Sequence, residues 1–236
     1  MHKSEVPQYA VNAIMDRRGK LHAFEAIDPA RTALVVVDMQ NMFLEVGAPA
    51  ECPMAREIVP NVNRLAEAVR RAGAHVVWIQ MRATEADLET WSVFFDEIFP
   101  ADRIPGYFEW LSEGSHGHAL WPELDVKPGD LMVRKNRYSA FLNDSSDLAE
   151  QLRSRDIDTV LITGTVTNVC CESSARDAMM RNFKTLMVGD ANAAKLEENH
   201  LATLANFAQT FGDVRSTDEV IRMLEAGAAA RSDAAE

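Results

Sequence analysis

The sequence has little of what a membrane protein, a disulfide scaffold or a nucleic-acid binder requires. Nowhere in its 236 residues is there an apolar run of about 18 residues, the length that would suggest a membrane span. The opening Met1-His2-Lys3-Ser4-Glu5-Val6-Pro7 lacks the apolar stretch of a secretory leader. Cysteines number only three, an odd count without framework spacing, which argues against disulfides and for a reducing compartment. Basic residues are also scarce, 24 Lys and Arg against 36 Asp and Glu, for a formal net charge of −12. A phosphate-backbone partner would need a basic stripe, so nucleic acid is excluded as a partner. The expectation is a soluble, cytoplasmic protein with no membrane partner.

What the chain does have is apolar material, 47% of its residues, enough for a sizeable core without a linker that would split it. Thr32-Ala-Leu-Val-Val-Val-Asp38 is a continuous β-branched run, as in a strand covered on both faces. A helix over about 56–72 comes next, with Ile58, Val62, Leu65, Ala66 and Val69 at helical spacing and Gly73 as its stop. His75 to Gln80 is the next strand, making a right-handed βαβ unit. Further strands are expected at Leu131 to Arg134, Thr159 to Thr163, Lys184 to Val188 and near Val214. Helices are expected over about 146–155, 170–182, 197–207 and 217–226. The fold class predicted is α/β, three-layer α-β-α, with a doubly wound, mostly parallel sheet.

Residues 31–226 form this domain, preceded by an arm or short peripheral strand over 1–30 and followed by a frayed, disordered tail over 227–236. An irregular aromatic excursion over about 83–128 is expected to act as a lid, binding loop or oligomer contact.

The stretch Leu161-Ile-Thr-Gly-Thr-Val-Thr-Asn-Val-Cys170-Cys171 passes from a buried strand through a turn into a helix of small residues. A cysteine at a helix start meets backbone N–H groups without intrahelical partners, which favours its thiolate and a lowered pKa. Neighbouring helical residues diverge by about 100°, so only one of the two cysteines can face a site above the sheet. Cys170, nearer the turn, is the candidate; Cys171 reads as a small core residue. Asp38, Lys135 and Cys170 thus fall at the carboxyl ends of three separate strands, where an open α/β sheet binds its ligands. Those residue types suit nucleophilic acyl transfer: an aspartate to take the thiol proton, a lysine to favour the thiolate, a cysteine to attack a carbonyl. Unpaired N–H groups near Thr167 and Cys170 are placed to hold the oxyanion.

Val-Val-Asp38-Met-Gln-Asn, Lys135-Asn-Arg-Tyr-Ser and Thr-Gly-Thr-Val-Thr-Asn-Val-Cys170 resemble the three signature segments of the isochorismatase-like cysteine hydrolases, in order. The resemblance spans about residues 32–224. It implies an Asp38, Lys135, Cys170 triad, a thioester intermediate, and a non-proline cis peptide between Val166 and Thr167 that aims donors at the oxyanion. It also implies a homodimer or homotetramer. Members that cleave the isochorismate vinyl ether lack the cysteine, so its presence implies amide chemistry. The nicotinamidases hold a metal with an Asp-x-His and a further histidine. Here Met-Arg-Ala-Thr-Glu-Ala-Asp comes after Gln80 and no histidine appears before His116, so no metal and no cofactor are expected.

Among the amidases the motifs are most similar to the ureidoacrylate amidohydrolases and the biuret and triuret hydrolases, which implies a small ureido or carbamoyl substrate. Another small amide, such as an N-carbamoyl amino acid or maleamate, is the alternative. A non-catalytic binding subunit is a third reading, against which the intact trio counts. For substrate binding, Gln40 and Asn41 are candidates for amide recognition, and Arg82 and Arg137 for anchoring a carboxylate. Phe43 and Tyr138 either stack on the substrate or simply pack.

Overall fold

The computed structural model describes residues 2–235. Its β-branched runs form a six-stranded sheet in the order β3-β2-β1-β4-β5-β6, every pairing parallel. The strands are β1 (Thr32–Val37), β2 (His75–Met81), β3 (Leu131–Lys135), β4 (Thr159–Thr165), β5 (Lys184–Ala193) and β6 (Asp213–Arg215). β1 is buried along its whole length. Successive side chains point to opposite faces, so Ala33, Val35 and Val37 enter one apolar core while Leu34 and Val36 enter the other.

Helices cover both faces, giving the three-layer α-β-α arrangement. In chain order they are α1 (Gln8–Arg18), α2 (Asn41–Leu44), α3 (Met54–Glu57), α4 (Val59–Arg71), α5 (Ala86–Thr90), α6 (Ile104–Leu111), α7 (Leu148–Arg153), α8 (Glu172–Met180), α9 (Glu197–Thr210) and α10 (Thr217–Ala235). α1, α7, α8 and α9 supply Ile14, Leu152, Ala175 and Leu204 to one core, and α4 and α10 supply Leu65, Val69 and Leu224 to the other. The excursion encloses a third cluster with Phe94, Phe95, Tyr107 and Leu111 at its centre. Among the described residues no helix is long and apolar enough to cross a membrane.

From β1 the chain winds outward through β2 to β3, then crosses to β4 on the opposite side of β1 and continues to β5 and β6. The neighbouring carboxyl ends of β1 and β4 are therefore the switch point of the sheet, where a crevice opens.

Three expectations need correction. Among the described residues of the arm over 1–30 there is no strand: α1 occupies its middle, and Ala10 and Ile14 are buried. The alternating Leu21 to Ile27 stretch is held instead by side chains, with Arg215 Nη2 donating to the Phe24 carbonyl at 2.8 Å and Arg18 Nη2 to that of Leu21 at 2.5 Å. Asp213 binds His22 Nδ1 at 2.9 Å and accepts from the Phe24 N–H at 3.4 Å, and a side chain in that role makes no ladder. Second, the stretch expected to be a frayed tail continues α10 as far as Ala235. Gly227 does not stop this helix; a Cβ there would meet the Ile27 carbonyl oxygen at 2.4 Å, so the glycine permits close packing, and Arg231 pairs with Asp28 at 3.0 Å. Third, the cis peptide is Thr165–Val166 and not Val166–Thr167. β4 runs through Thr165, and Val166 already opens the helical turn, its carbonyl accepting from the Val169 and Cys171 N–H groups at 3.0 and 3.3 Å.

Candidate active site

The site is assembled at this switch point. Asp38 comes directly after β1, in the left-handed region at φ +52°, and its N–H donates to the Ile79 carbonyl at 3.1 Å. Lys135 ends β3, paired in register with Met81. Both side chains are completely buried, and the Lys135 Nζ lies 2.6 Å from Asp38 Oδ2. The ammonium also donates to the Arg137 carbonyl at 3.1 Å and approaches Met81 Sδ at 3.5 Å. The Asp38 carboxyl also interacts with the Cys170 thiol. Cys170, 6% exposed, sits beside the pair, and both charges act on its sulfur. The three residues expected to meet do meet.

Their electrostatics differ from expectation. Burial disfavours charge on each group, and it lifts the Asp38 carboxyl above the usual range although Lys135 pulls the other way. Burial alone would lower Lys135, but Asp38 first and Cys170 beside it outweigh that and hold the ammonium above its ordinary value. The Cys170 thiol is pushed up to about 12 by burial, with Lys135 pulling it down and Asp38 pushing it up. The lowered thiol pKa expected at a helix start is thus overturned: anion and cation oppose each other at the sulfur, and little water reaches it. Cys170 also lies in a π-helical turn, Thr167–Cys171, ahead of α8 and not at the tip of a long helix. At rest it is a thiol.

Cys170 opens onto a cavity of about 590 Å³. Val166, Val169, Met42, Phe43, Pro49 and Ala50 line it. The excursion adds Phe94, Phe99, Gly106, Tyr107 and Leu111. Met81 and Tyr138 also line it, and the exposed Asp102 and Arg103 stand at its rim.

Of the expected substrate-binding residues, only Phe43 and Tyr138 reach this cavity. Gln40 is buried and structural: its Nε2 donates to the Met81 and His118 carbonyls at 3.0 and 2.9 Å, and its Oε1 accepts from the Met81 N–H at 2.8 Å. Asn41 Nδ2 donates to the His116 carbonyl at 2.9 Å. Arg82 faces a different surface cleft with Glu113 and Arg134. Arg137 pairs with Asp87 at 3.3 Å, donates to the Thr90 carbonyl at 2.8 Å, and lies over the Trp91 ring at 4.9 Å. Long polar side chains just past strand ends are as well suited to pin those ends as to meet a ligand, and here they pin. Thr167 likewise turns away, its hydroxyl bonded to His200 Nδ1 at 2.9 Å. Burial lowers the His200 pKa to about 4, which keeps that ring neutral. His116 pairs with Glu45, and among the described residues no group of three His, Cys, Asp or Glu side chains is arranged to hold a metal.

The pattern that defines the isochorismatase domain matches residues 32–219. This chain belongs to the isochorismatase family. It is 34% identical over 206 residues to the ureidoacrylate amidohydrolase RutB of Pseudomonas syringae pv. syringae, covering 81% of this chain and 82% of the relative. Among solved structures it is similar to a cysteine hydrolase from Pseudomonas syringae pv. phaseolicola, with TM-score 0.75 and 31% identity over 88% of this chain and 98% of that one. The N-carbamoylsarcosine amidase of Thermoplasma acidophilum superposes with TM-score 0.63 at 27% identity, over 80% and 97% of the two chains.

Beyond the segments shared with the isochorismatase family, sequence reading missed Met42, Met81, Leu111 and the rim pair Asp102 and Arg103. It also missed Asp87, which is 2% exposed and receives Asn136 Nδ2 at 2.6 Å and Arg137 Nη1 at 3.3 Å. Among Glu85, Asp87 and Glu89, nothing local marks the buried acid. Met81 had a usable signal, since it closes a strand one residue beyond the predicted end.

Proposed function

We propose that this isochorismatase-family chain is a cysteine-dependent amidohydrolase, cleaving the C–N bond of a small amide or ureido compound through a thioester. The observation that carries the reading is the buried Lys135–Asp38 pair at 2.6 Å, with the Cys170 thiol beside it and open to the cavity. The names of the relatives, a ureidoacrylate amidohydrolase and an N-carbamoylsarcosine amidase, support a terminal carbamoyl group as the part that reacts.

The resting thiol needs a base, and the Asp38 carboxylate, which interacts with the Cys170 thiol, is available as one. As the sulfur adds to the substrate carbonyl carbon, the thiol proton passes to Asp38 and the carbonyl π electrons move onto oxygen. Lys135 keeps its charge through this transfer and offsets the anion formed. The oxyanion is held by N–H groups of the turn around Val166, Thr167 and Cys170, among which those of Val169 and Cys171 are already bonded to the Val166 carbonyl. Asp38 then returns its proton to the leaving nitrogen as the C–N bond breaks, releasing ammonia or an amine. Water attacks the thioester, Asp38 takes a proton from it, and the acid departs with Cys170 restored to the thiol.

Ammonia release by the purified chain across ureidoacrylate, biuret, triuret, N-carbamoyl amino acids and maleamate tests this, with Cys170→Ala as control. Turnover of at least one compound, abolished in the variant, is expected. Full activity in Cys170→Ala would sink the cysteine mechanism.

A further inference from the structure

The chamber around Cys170 is large and almost without charge. Its volume of about 590 Å³ lies within the range of about 300–1,000 Å³ typical of sites for drug-sized ligands, whereas biuret and ureidoacrylate are far smaller. Phe43, Phe94, Phe99, Tyr107 and Leu111 are among the apolar residues of its walls. The aromatic part is braced: Phe94 stacks on Trp91 at 4.2 Å and meets Phe95 and Tyr107 at 4.9 and 6.1 Å. Such a wall is formed before a ligand arrives.

Of the charges nearby, only Asp102 and Arg103 line the chamber, and the others are committed elsewhere. Lys135 and Asp38 neutralise each other beneath the floor. Arg137 is tied to Asp87, and Arg82 lies in another cleft. Asp102 and Arg103, adjacent and of opposite sign, are exposed at the rim. Within the chamber the phenol hydroxyls of Tyr107 and Tyr138 remain, both neutral groups. Away from Arg103, a substrate carboxylate drawn inside would lose its water without gaining a cation, and a second carbamoyl group would find only the two phenol hydroxyls to pair with.

Resting on the amidase reading above, we propose that the scissile amide is carried on an uncharged apolar group of aromatic or branched-alkyl size. That group fills the chamber between Phe43, Phe94, Phe99, Tyr107 and Leu111. Compounds polar along their whole length, such as biuret and triuret, fit this chain less well than an amide with an apolar tail.

Binding and turnover separate the two readings. Calorimetry on the Cys170→Ala protein with acetamide, butanamide, hexanamide and phenylpropanamide measures the chamber without chemistry; Cys170→Ser serves if the alanine variant does not fold. Ammonia release from the same amides by the unmodified chain measures the chemistry. Succinamate, biuret and ureidoacrylate are the polar counterparts. The expected result is a Kd that falls about fourfold per methylene from acetamide to hexanamide, with each polar counterpart binding at least about tenfold more weakly than butanamide. Phe99→Asn should reduce that slope. A Kd independent of chain length, or tighter binding of the carboxylate or biuret, overturns the apolar assignment and leaves the amidase reading intact. A ladder in binding without ammonia from any compound upholds the assignment and defeats the amidase reading.

Discussion

The Cβ that Gly164 lacks would stand 2.1 Å from the carbonyl oxygen of Val37. β4 is paired with β1 here, Gly164 opposite Val37 one residue before Asp38, and Gly164 also has φ +111°, which side chains avoid. The glycine of the Thr-Gly-Thr segment thus sets how closely the strand leading to Cys170 approaches the strand that ends at Asp38. Gly164→Ala should destabilise the chain by more than about 3 kcal/mol, lowering the melting temperature by roughly 6–12 °C. Amide turnover should fall to background. A variant that melts like the parent would show that this contact is not what spaces the two strands.

The Lys135–Asp38 pair should separate stability from catalysis. Both groups are fully buried, so Lys135→Met, which leaves the carboxylate alone, should cost about 3–5 kcal/mol in denaturant unfolding. The double variant Asp38→Asn with Lys135→Met buries no charge and should recover much of that loss. Its turnover should still stay lower by about two to four orders of magnitude, because no base remains for the thiol. Recovery of activity together with stability would mean the pair is only structural.

Much of this architecture was legible because burial on both faces leaves a plain trace. Runs such as Thr32 to Val37 have no polar alternation and read as central parallel strands, and the three reactive residues stand out as side chains at or just past the carboxyl ends of such strands. The cavity walls were not legible. Phe94, Tyr107 and Leu111 come from an excursion whose helical pieces are short and irregular, so no period identifies their inward face. The roles of Gln40 and Arg137 were misread because hydrogen-bonding capacity is visible in a sequence while the partner is not. The N-terminal helix was missed because only Ala10 and Ile14 on it are buried, too few to make a stripe.

The pH profile should reflect the raised carboxyl. Asp38 acts as base when ionised, so turnover is fully present above its folded pKa and lost as pH falls through it. Burial lifts that value, which moves the acid limb of kcat/KM above the ordinary carboxylate range. Lys135 is held above its usual value and Cys170 is pushed up to about 12, so no decline is expected up to about pH 10; the trio titrates as one unit. A limb near the ordinary thiol value would instead identify thiolate formation as the controlling ionisation.

Arg137 should behave as a brace. Its guanidinium is held by Asp87, Thr90 and Trp91, while its backbone carbonyl accepts from Lys135 at 3.1 Å. Arg137→Ala should lower the melting temperature and kcat together. The ratio of KM values for maleamate and an uncharged amide should not change. A selective rise in KM for the carboxylate-bearing compound would restore the anchoring role that its position after β3 first suggested.

The three cysteines should differ sharply towards alkylation. Cys171 is fully buried, with Sγ directed to the Thr163 carbonyl at 3.8 Å, and burial holds its pKa well above the ordinary value. Cys52 is also fully buried and raised by burial. Only Cys170 opens onto the cavity, so iodoacetamide followed by mass spectrometry should label it first, with activity lost in step, and Cys171→Ala should retain turnover. Asp38→Asn supplies the sharper test, because Asp38 pushes the thiol up while Lys135 pulls it down. Removing the carboxylate leaves the ammonium unopposed, so the thiolate fraction and the labelling rate at neutral pH should rise. Amide hydrolysis should fall in the same variant, since asparagine cannot accept the proton and return it to the leaving nitrogen. If labelling and hydrolysis fall together, the carboxylate governs thiol ionisation in a way that its charge at the sulfur does not explain.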